Sequence, residues 1–254
     1  MGLSLIESDS RTSYLSAGID HHTVVLQRGD AARCVALGFQ LAPGTDLNEY
    51  SKQVAQQGVQ VHHSHDSQPN IPGIVTFEDP KGTRIEIFAD REPISRGPQW
   101  VGVAPNKLGH VAFNVTDIRR DVRFYCDVLG FKESDLMGDF FAFLRCGPDH
   151  HTINLVAGAT PKMHHIAFEL RDFTHIRDAC DLLAVENIPL IWGALRHGIE
   201  HNIATYHRDP DGQIIELFCE LDRVNEKSET FEPQRCHQEA ANMWGSPPPE
   251  GYLD

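Results

Sequence analysis

The sequence predicts an α+β fold built from tandem βαβββ modules, and three observations carry that expectation. First, the chain repeats itself at long range. "DHHTVVL" from Asp20 returns as "DHHTINL" from Asp149, "DPKGTRIEIF" from Asp79 as "DPDGQIIELF" from Asp209, and "LGFQL" from Leu37 as "IAFEL" from Ile166. The offsets are 129, 130 and 129 residues. Three matches in one order and one register define two homologous halves, 1–98 and 99–222, followed by a polar tail over 223–254. Second, the later half repeats within itself: "GHVAFNV" at 109–115 resembles "HHIAFEL" at 164–170. Third, a helical spacing of apolar residues follows each of those two strand patterns.

The elements of the second half follow in order. After the strand pattern at 109–115, Ile118, Val122, Tyr125 and Leu129 step by four, three and four, which makes one apolar helix stripe. "VLGF" then places Gly130 at the helix end, where a residue with positive φ is wanted. "FFAFLRCG" from Phe140 and "HHTINLVAG" from His150 read as strands. The next unit opens at His164, and its helix stripe is Phe173, Ile176, Cys180 and Leu183. It closes on "DPDG", a turn in which Pro fixes φ, Gly accepts φ > 0 and Asp bonds its own backbone. The strand "QIIELF" follows it. The first half shares the turn and the last strand. The counterpart of His110, however, would fall before Met1, so this half is expected to lack its opening strand and helix. The tail ends "WGSPPPEGYLD" and reads as an irregular arm packed on the surface or on a neighbour.

Composition excludes several classes. With 254 residues, 41% hydrophobic and 23% charged, the chain is that of a folded protein. No apolar run approaches the ~18 residues of a membrane span, and "MGLSLIESDSRTSYL" has no secretory pattern. The formal charge of −14 argues against nucleic acid as a partner. The six cysteines are scattered with no CxxC pair, which argues for reduced thiols, a cytoplasmic protein and no cysteine-zinc site. The 15 histidines are many, and several are adjacent pairs.

The polar exceptions in the strands form a constellation. In "QIIELF", Glu216 shares a face with Ile214 and Phe218, and a carboxylate buried there must be paired, protonated or bound to a metal. His110 and His165 occupy the same place in the two units of the second half. Two imidazoles and one carboxylate can hold a divalent metal on one face and leave other positions open, a set that suits Fe(II) and is chemically open to Mn(II). Each residue taken alone has a plainer reading: a hydrogen-bonded core histidine, or a buried ion-pair partner. The first half serves as an internal control. Glu86 matches Glu216, but His165 maps onto Ala36 and His110 has no counterpart. This half reads as structural.

The strings "LGHVAFNVTDIRRDVRFYCDVLGF", "DHHTINL", "MHHIAFEL" and "GALRHGIEHNIATYHRDPDGQIIELF" resemble those of type I extradiol ring-cleavage dioxygenases, in the vicinal oxygen chelate (glyoxalase-fold) superfamily. The resemblance spans most of 106–222, with a weaker copy before it. It implies two domains of paired βαβββ modules, only the second binding iron, so 1–98 would be a degenerate domain without a metal site and 99–222 the catalytic one. Carried over residue by residue, it implies His110, His165 and Glu216 as iron ligands. It implies His151 as the acid/base near the oxygen site, His197 in "RHG" as a histidine bonded to the substrate hydroxyl region, and Tyr206 at the ring-hydroxyl end. His150 competes with His151, and a regular strand would turn one of the two away. The implied partners are a catechol-type small molecule, O2 and further copies of the chain in a homo-oligomer. The implied product is of the muconic-semialdehyde type, in aromatic catabolism. Two rivals remain at this level: a glyoxalase-like isomerase or thiol transferase using another divalent metal, and a binding protein that traps a ligand without turnover.

Overall fold

In the computed structural model of the chain, residues 1–18, 20–92, 101–224, 241–245 and 247–252 are described. The expected boundary at 98/99 and most of the expected tail lie outside them. Three strands come first: β1 (Ser4–Ser8), β2 (Thr12–Ser16) and β3 (Val24–Gln27), an antiparallel sheet in that order. Next come β4 (Ala36–Gln40), α1 (Leu47–Gln56), β5 (His62–Gln68), β6 (Ile71–Glu78) and β7 (Arg84–Phe88), whose strands form a sheet of order β4-β7-β6-β5. A βαβββ unit then follows: β8 (Lys107–Val115), α2 (Ile118–Asp127), β9 (Lys132–Met137), β10 (Phe141–Arg145) and β11 (Ile153–Ala157). A second consists of β12 (Lys162–Glu169), α3 (Phe173–Val185), β13 (Leu190–Arg196), β14 (Ile203–Arg208) and β15 (Ile214–Cys219).

These last two units share one eight-stranded sheet of order β13-β14-β15-β12-β8-β11-β10-β9. Its centre is the antiparallel pair β8–β12, with β11 parallel to β8 on one side and β15 parallel to β12 on the other. The arrangement is pseudo-two-fold, as the internal repeat requires. In the earlier half, β1–β3 stand for β9–β11 and β4–β7 for β12–β15. Among the described residues no strand fills the slot that β8 fills, so two separate sheets result.

Local chemistry accounts for the helices. Asp46, Asp117 and Asp172 each accept a backbone N–H of the first turn, from Asn48, Arg120 and His175 respectively. Gly130 ends α2 with φ +74° and donates its N–H to Cys126. The α2 stripe lies inward as expected, with Ile118, Val122 and Tyr125 buried. The α3 stripe needs correction. Phe173 is 48% exposed because it opens the helix at the surface, and the inward face is Ile176, Ala179 and Leu183. The expected strand "HHTINL" begins only at Ile153. His150 and His151 lie in the turn before it, so strand alternation does not apply to them.

One core joins the halves. Leu37, Val75, Phe77, Ile85 and Ile87 pack with Val111, Phe113 and Tyr125. At its edge the first "DPxG" turn sends Lys81 inward. The ammonium pairs with Asp79, donates to Tyr125 Oη (3.1 Å) and lies 4.1 Å from the centroid of the Phe113 ring, while Tyr125 donates to Asp79 (3.0 Å). Lys81 and Asp79 are almost wholly buried. Lys81→Met leaves that carboxylate unpaired and is expected to cost about 3–5 kcal/mol, read as a lower midpoint in urea unfolding.

Candidate metal centre

Three strands meet at the centre of the eight-stranded sheet, and each sends one polar side chain to the same point. Ala167 on β12 is opposite both His110 on β8 and Glu216 on β15, and His165 lies one step along β12 on the same face. His110 Nε2 lies 3.2 Å from His165 Nε2 and 3.1 Å from Glu216 Oε2, and His165 Nε2 lies 3.1 Å from the same oxygen. All three residues are buried. Glu216 and the first half's Glu86 therefore differ in surroundings as well as in sequence. Glu86 is held by Gln68 (2.6 Å) and by Arg84 (2.8 Å), and the same Gln68 bonds His22 Nε2 (3.2 Å).

The protons on this cluster follow from its outer partners. The carbonyl of Tyr252 can only accept, so His164 Nε2 donates to it (2.6 Å). His164 Nδ1 is then bare and accepts from His165 Nδ1 (2.7 Å). That leaves His165 with a lone pair on Nε2, facing the Glu216 carboxylate with no proton to share between them. Burial pushes the Glu216 carboxyl up, and the His110 imidazole pulls it back further, to well below its ordinary range. Asn202 Nδ2 also donates to Glu216 Oε1 (3.0 Å). A buried lone pair facing a buried carboxylate calls for a cation. Three N/O donors bound at about 2.1 Å and at right angles lie about 3 Å apart, close to the separations seen here. The cluster fits a divalent metal, and among the described residues no other group of three or more such ligands converges in this way.

The structure sets the expected neighbours around it. His151 is fully buried, its ring 4.2 Å from that of His110, and its Nε2 has no protein partner. Burial lowers its pKa well below the usual imidazole value, with His110 and His150 adding to the effect. His150 stays in the same turn and points outward to Asp135 Oδ2 (2.6 Å). His197 donates from Nδ1 to the Ala241 carbonyl (2.7 Å), so its Nε2 accepts the Tyr206 hydroxyl (2.8 Å). Burial lowers His197 to about 4 and raises Tyr206 well above 10. Tyr206 stacks on Trp192 and meets the ring of His165 edge-on.

Sequence reasoning missed several parts of this wall. It gave His164 no role, although burial lowers it to about 3 and its hydrogen bond fixes the His165 proton. It read the tail as an arm. In fact Tyr252 is buried against Trp192 and Tyr206, and Ala241 and Tyr252 supply the two carbonyls just described. Asn202 and Asp135 carried no signal, since an isolated amide or carboxylate in a loop or strand looks like surface. Gly109 is explained by packing: a Cβ there would lie 2.3 Å from the buried ring of Phe218, which backs His110. Gly109→Ala is expected to destabilise by about 1–3 kcal/mol and to weaken metal retention, checked by thermal melting and metal analysis of the same preparation.

Comparison with known proteins is consistent with this geometry. Residues 107–217 match the profile of the Glyoxalase/Bleomycin resistance protein/Dioxygenase superfamily. The chain is 28% identical to the biphenyl-2,3-diol 1,2-dioxygenase of Paraburkholderia xenovorans over 76% of its own length and 71% of that protein's. It is 24% identical to the iron-dependent extradiol dioxygenase of Rhodococcus jostii over 94% and 86%. Among solved structures, the Mn(II)-bound glyoxalase of Novosphingobium aromaticivorans superposes with a TM-score of 0.88 at 26% identity, covering 100% of this chain and 86% of that one.

Proposed function

We propose that this chain, which through residues 107–217 belongs to the Glyoxalase/Bleomycin resistance protein/Dioxygenase superfamily, is an Fe(II)-dependent extradiol dioxygenase. It opens a catechol-type ring with O2, beside the two hydroxyls, and inserts both oxygen atoms to give a muconic-semialdehyde-type product. The observation that carries this reading is the buried convergence of His110 Nε2, His165 Nε2 and Glu216 Oε2, with the bare Nε2 of His151 beside it. Iron held there supplies a Lewis acid for the vicinal oxygens and an electron path between catechol and O2; manganese suits the same ligands.

The chain's own residues supply the remainder. His165, its proton committed to His164, and the ionised Glu216 offer lone pairs without first losing a proton. His151 stays neutral at working pH and so can take a hydroxyl proton and return it to the ring-opening intermediate. Tyr206 and His197 form one hydrogen-bonded unit whose hydroxyl is the group offered to the substrate's ring-hydroxyl end. Trp192 and the rings around it exclude water, which strengthens each of these polar contacts. In this reading 99–222 is the catalytic domain and 1–98 a structural one. The protein works as a cytoplasmic homo-oligomer, and the five free thiols among the described residues accord with a reducing compartment.

The second reading is a metal-dependent isomerase on the same scaffold, which the similarity to the Mn(II)-bound glyoxalase keeps in view. Oxygen separates the two. The protein is loaded with Fe(II) without air and given a panel of catechols, including 2,3-dihydroxybiphenyl, in an oxygen electrode. One O2 consumed per catechol, with a visible-absorbing product, is the expected result. Stoichiometric iron with no O2 uptake on any catechol overturns the dioxygenase reading.

A further inference from the structure

Two histidine pairs flank the metal centre, and they end on chemically different groups. His164–His165 ends on the carbonyl of Tyr252, which accepts a hydrogen bond and cannot carry a charge. That pair is locked. His150–His151 ends on a carboxylate: His150 Nε2 lies 2.6 Å from Asp135 Oδ2, and His150 Nδ1 lies 3.1 Å from His151 Nδ1. A carboxylate accepts the Nε2 proton of a neutral His150 equally well, and it stabilises a charged one. This pair can switch.

We propose that Asp135 and His150 form a proton store behind His151, so that His151 moves protons by changing tautomer without becoming charged. This rests on the ring-cleavage reading for the source of the proton. In the resting state His150 is neutral, with its proton on Nε2 toward Asp135. Its bare Nδ1 then accepts from His151 Nδ1–H, which leaves the lone pair of His151 on Nε2, the buried atom without a protein partner. When the substrate O–H bond breaks, its proton joins His151 Nε2. The Nδ1 proton of His151 passes to His150 Nδ1, and the new imidazolium is paired with Asp135. The reverse transfer returns one proton to the ring-opened product.

The advantage is electrostatic. A positive charge on His151 would lie against His110 and hence beside the metal dication. On His150 it is one ring farther away and neutralised. The surroundings of His150 suit that role. Asp135 faces it from β9 and the Phe143 ring from β10, His151 adjoins it in its own turn, and its backbone N–H is fixed on the Asp222 carbonyl (2.9 Å). Its nearest charged group is Asp135, whose second oxygen is buried without a partner and adds to the negative potential.

The test begins with nitrogen NMR of the metal-free, histidine-labelled protein at about pH 8, above the usual imidazole range. The expected spectrum has His151 protonated on Nδ1 and bare on Nε2, and His150→Phe shifts that proton toward Nε2. A proton on Nε2 in the unaltered protein overturns the proposal. On the iron-loaded enzyme, Asp135→Asn and His150→Phe are expected to lower kcat about 10- to 100-fold. KM should stay within about threefold and iron content should not change, while Asp135→Glu recovers part of kcat. Unchanged kcat in both variants overturns the store, and loss of iron would mark the pair as scaffolding and overturn it as well. If no catechol is consumed, ring cleavage fails and the tautomer measurement alone decides the assignment.

Discussion

Glu216→Ala is expected to leave a folded protein that no longer retains iron and that loses ring-cleaving activity by at least about three orders of magnitude. Glu216 supplies the only anionic donor of the cluster, and its Oε2 lies 3.1 Å from each of the two imidazole Nε2 atoms. Without it, two neutral imidazoles remain, and neither charge nor chelation holds a hard dication there. The vacated space is that of a side chain, so circular dichroism should be nearly unchanged while metal analysis falls to background. Retention of stoichiometric iron in this variant would remove Glu216 from the ligand set.

The second large effect is expected at His151. His151→Ala should keep its iron, because His151 Nε2 is not among the converging donors, yet kcat should fall about 10²- to 10⁴-fold. Burial keeps this imidazole neutral, so the unaltered enzyme should show no titration of His151 near the usual imidazole value. Measuring iron content, KM and kcat on one preparation separates this outcome from that of Glu216→Ala. A variant that loses both iron and activity would place His151 in the support of the metal rather than in proton transfer.

Much of the fold was legible because a duplicated sequence states its own register. The offsets of 129 and 130 residues aligned β3 with β11, β4 with β12 and β7 with β15, and the structure places those strands in matching positions. The DPxG turns were readable because turn chemistry is local: Asp79 and Asp209 bond their own backbones, and Gly82 and Gly212 take φ of +84° and +83°. The convergence of His110, His165 and Glu216 could be anticipated because a charged or imidazole side chain on an apolar strand is a visible anomaly. What stayed hidden was longer-range. Nothing local marks Asp135 as the partner of a histidine 15 residues away, nor Tyr252 as the partner of His164. Phe173 misled because helical spacing says which residues share a face, and not whether the first of them has reached the core.

The tail's contacts bear on how this protein should be handled. Tyr252 bonds His164 and Ala241 bonds His197, so these two residues of the tail belong to the inner wall. A purification tag or fluorescent fusion appended after Asp254 would be anchored two residues from a carbonyl that fixes the tautomer of a candidate ligand. Weak activity in such a preparation would reflect the fusion rather than the enzyme, and a cleavable tag compared before and after its removal would show the difference.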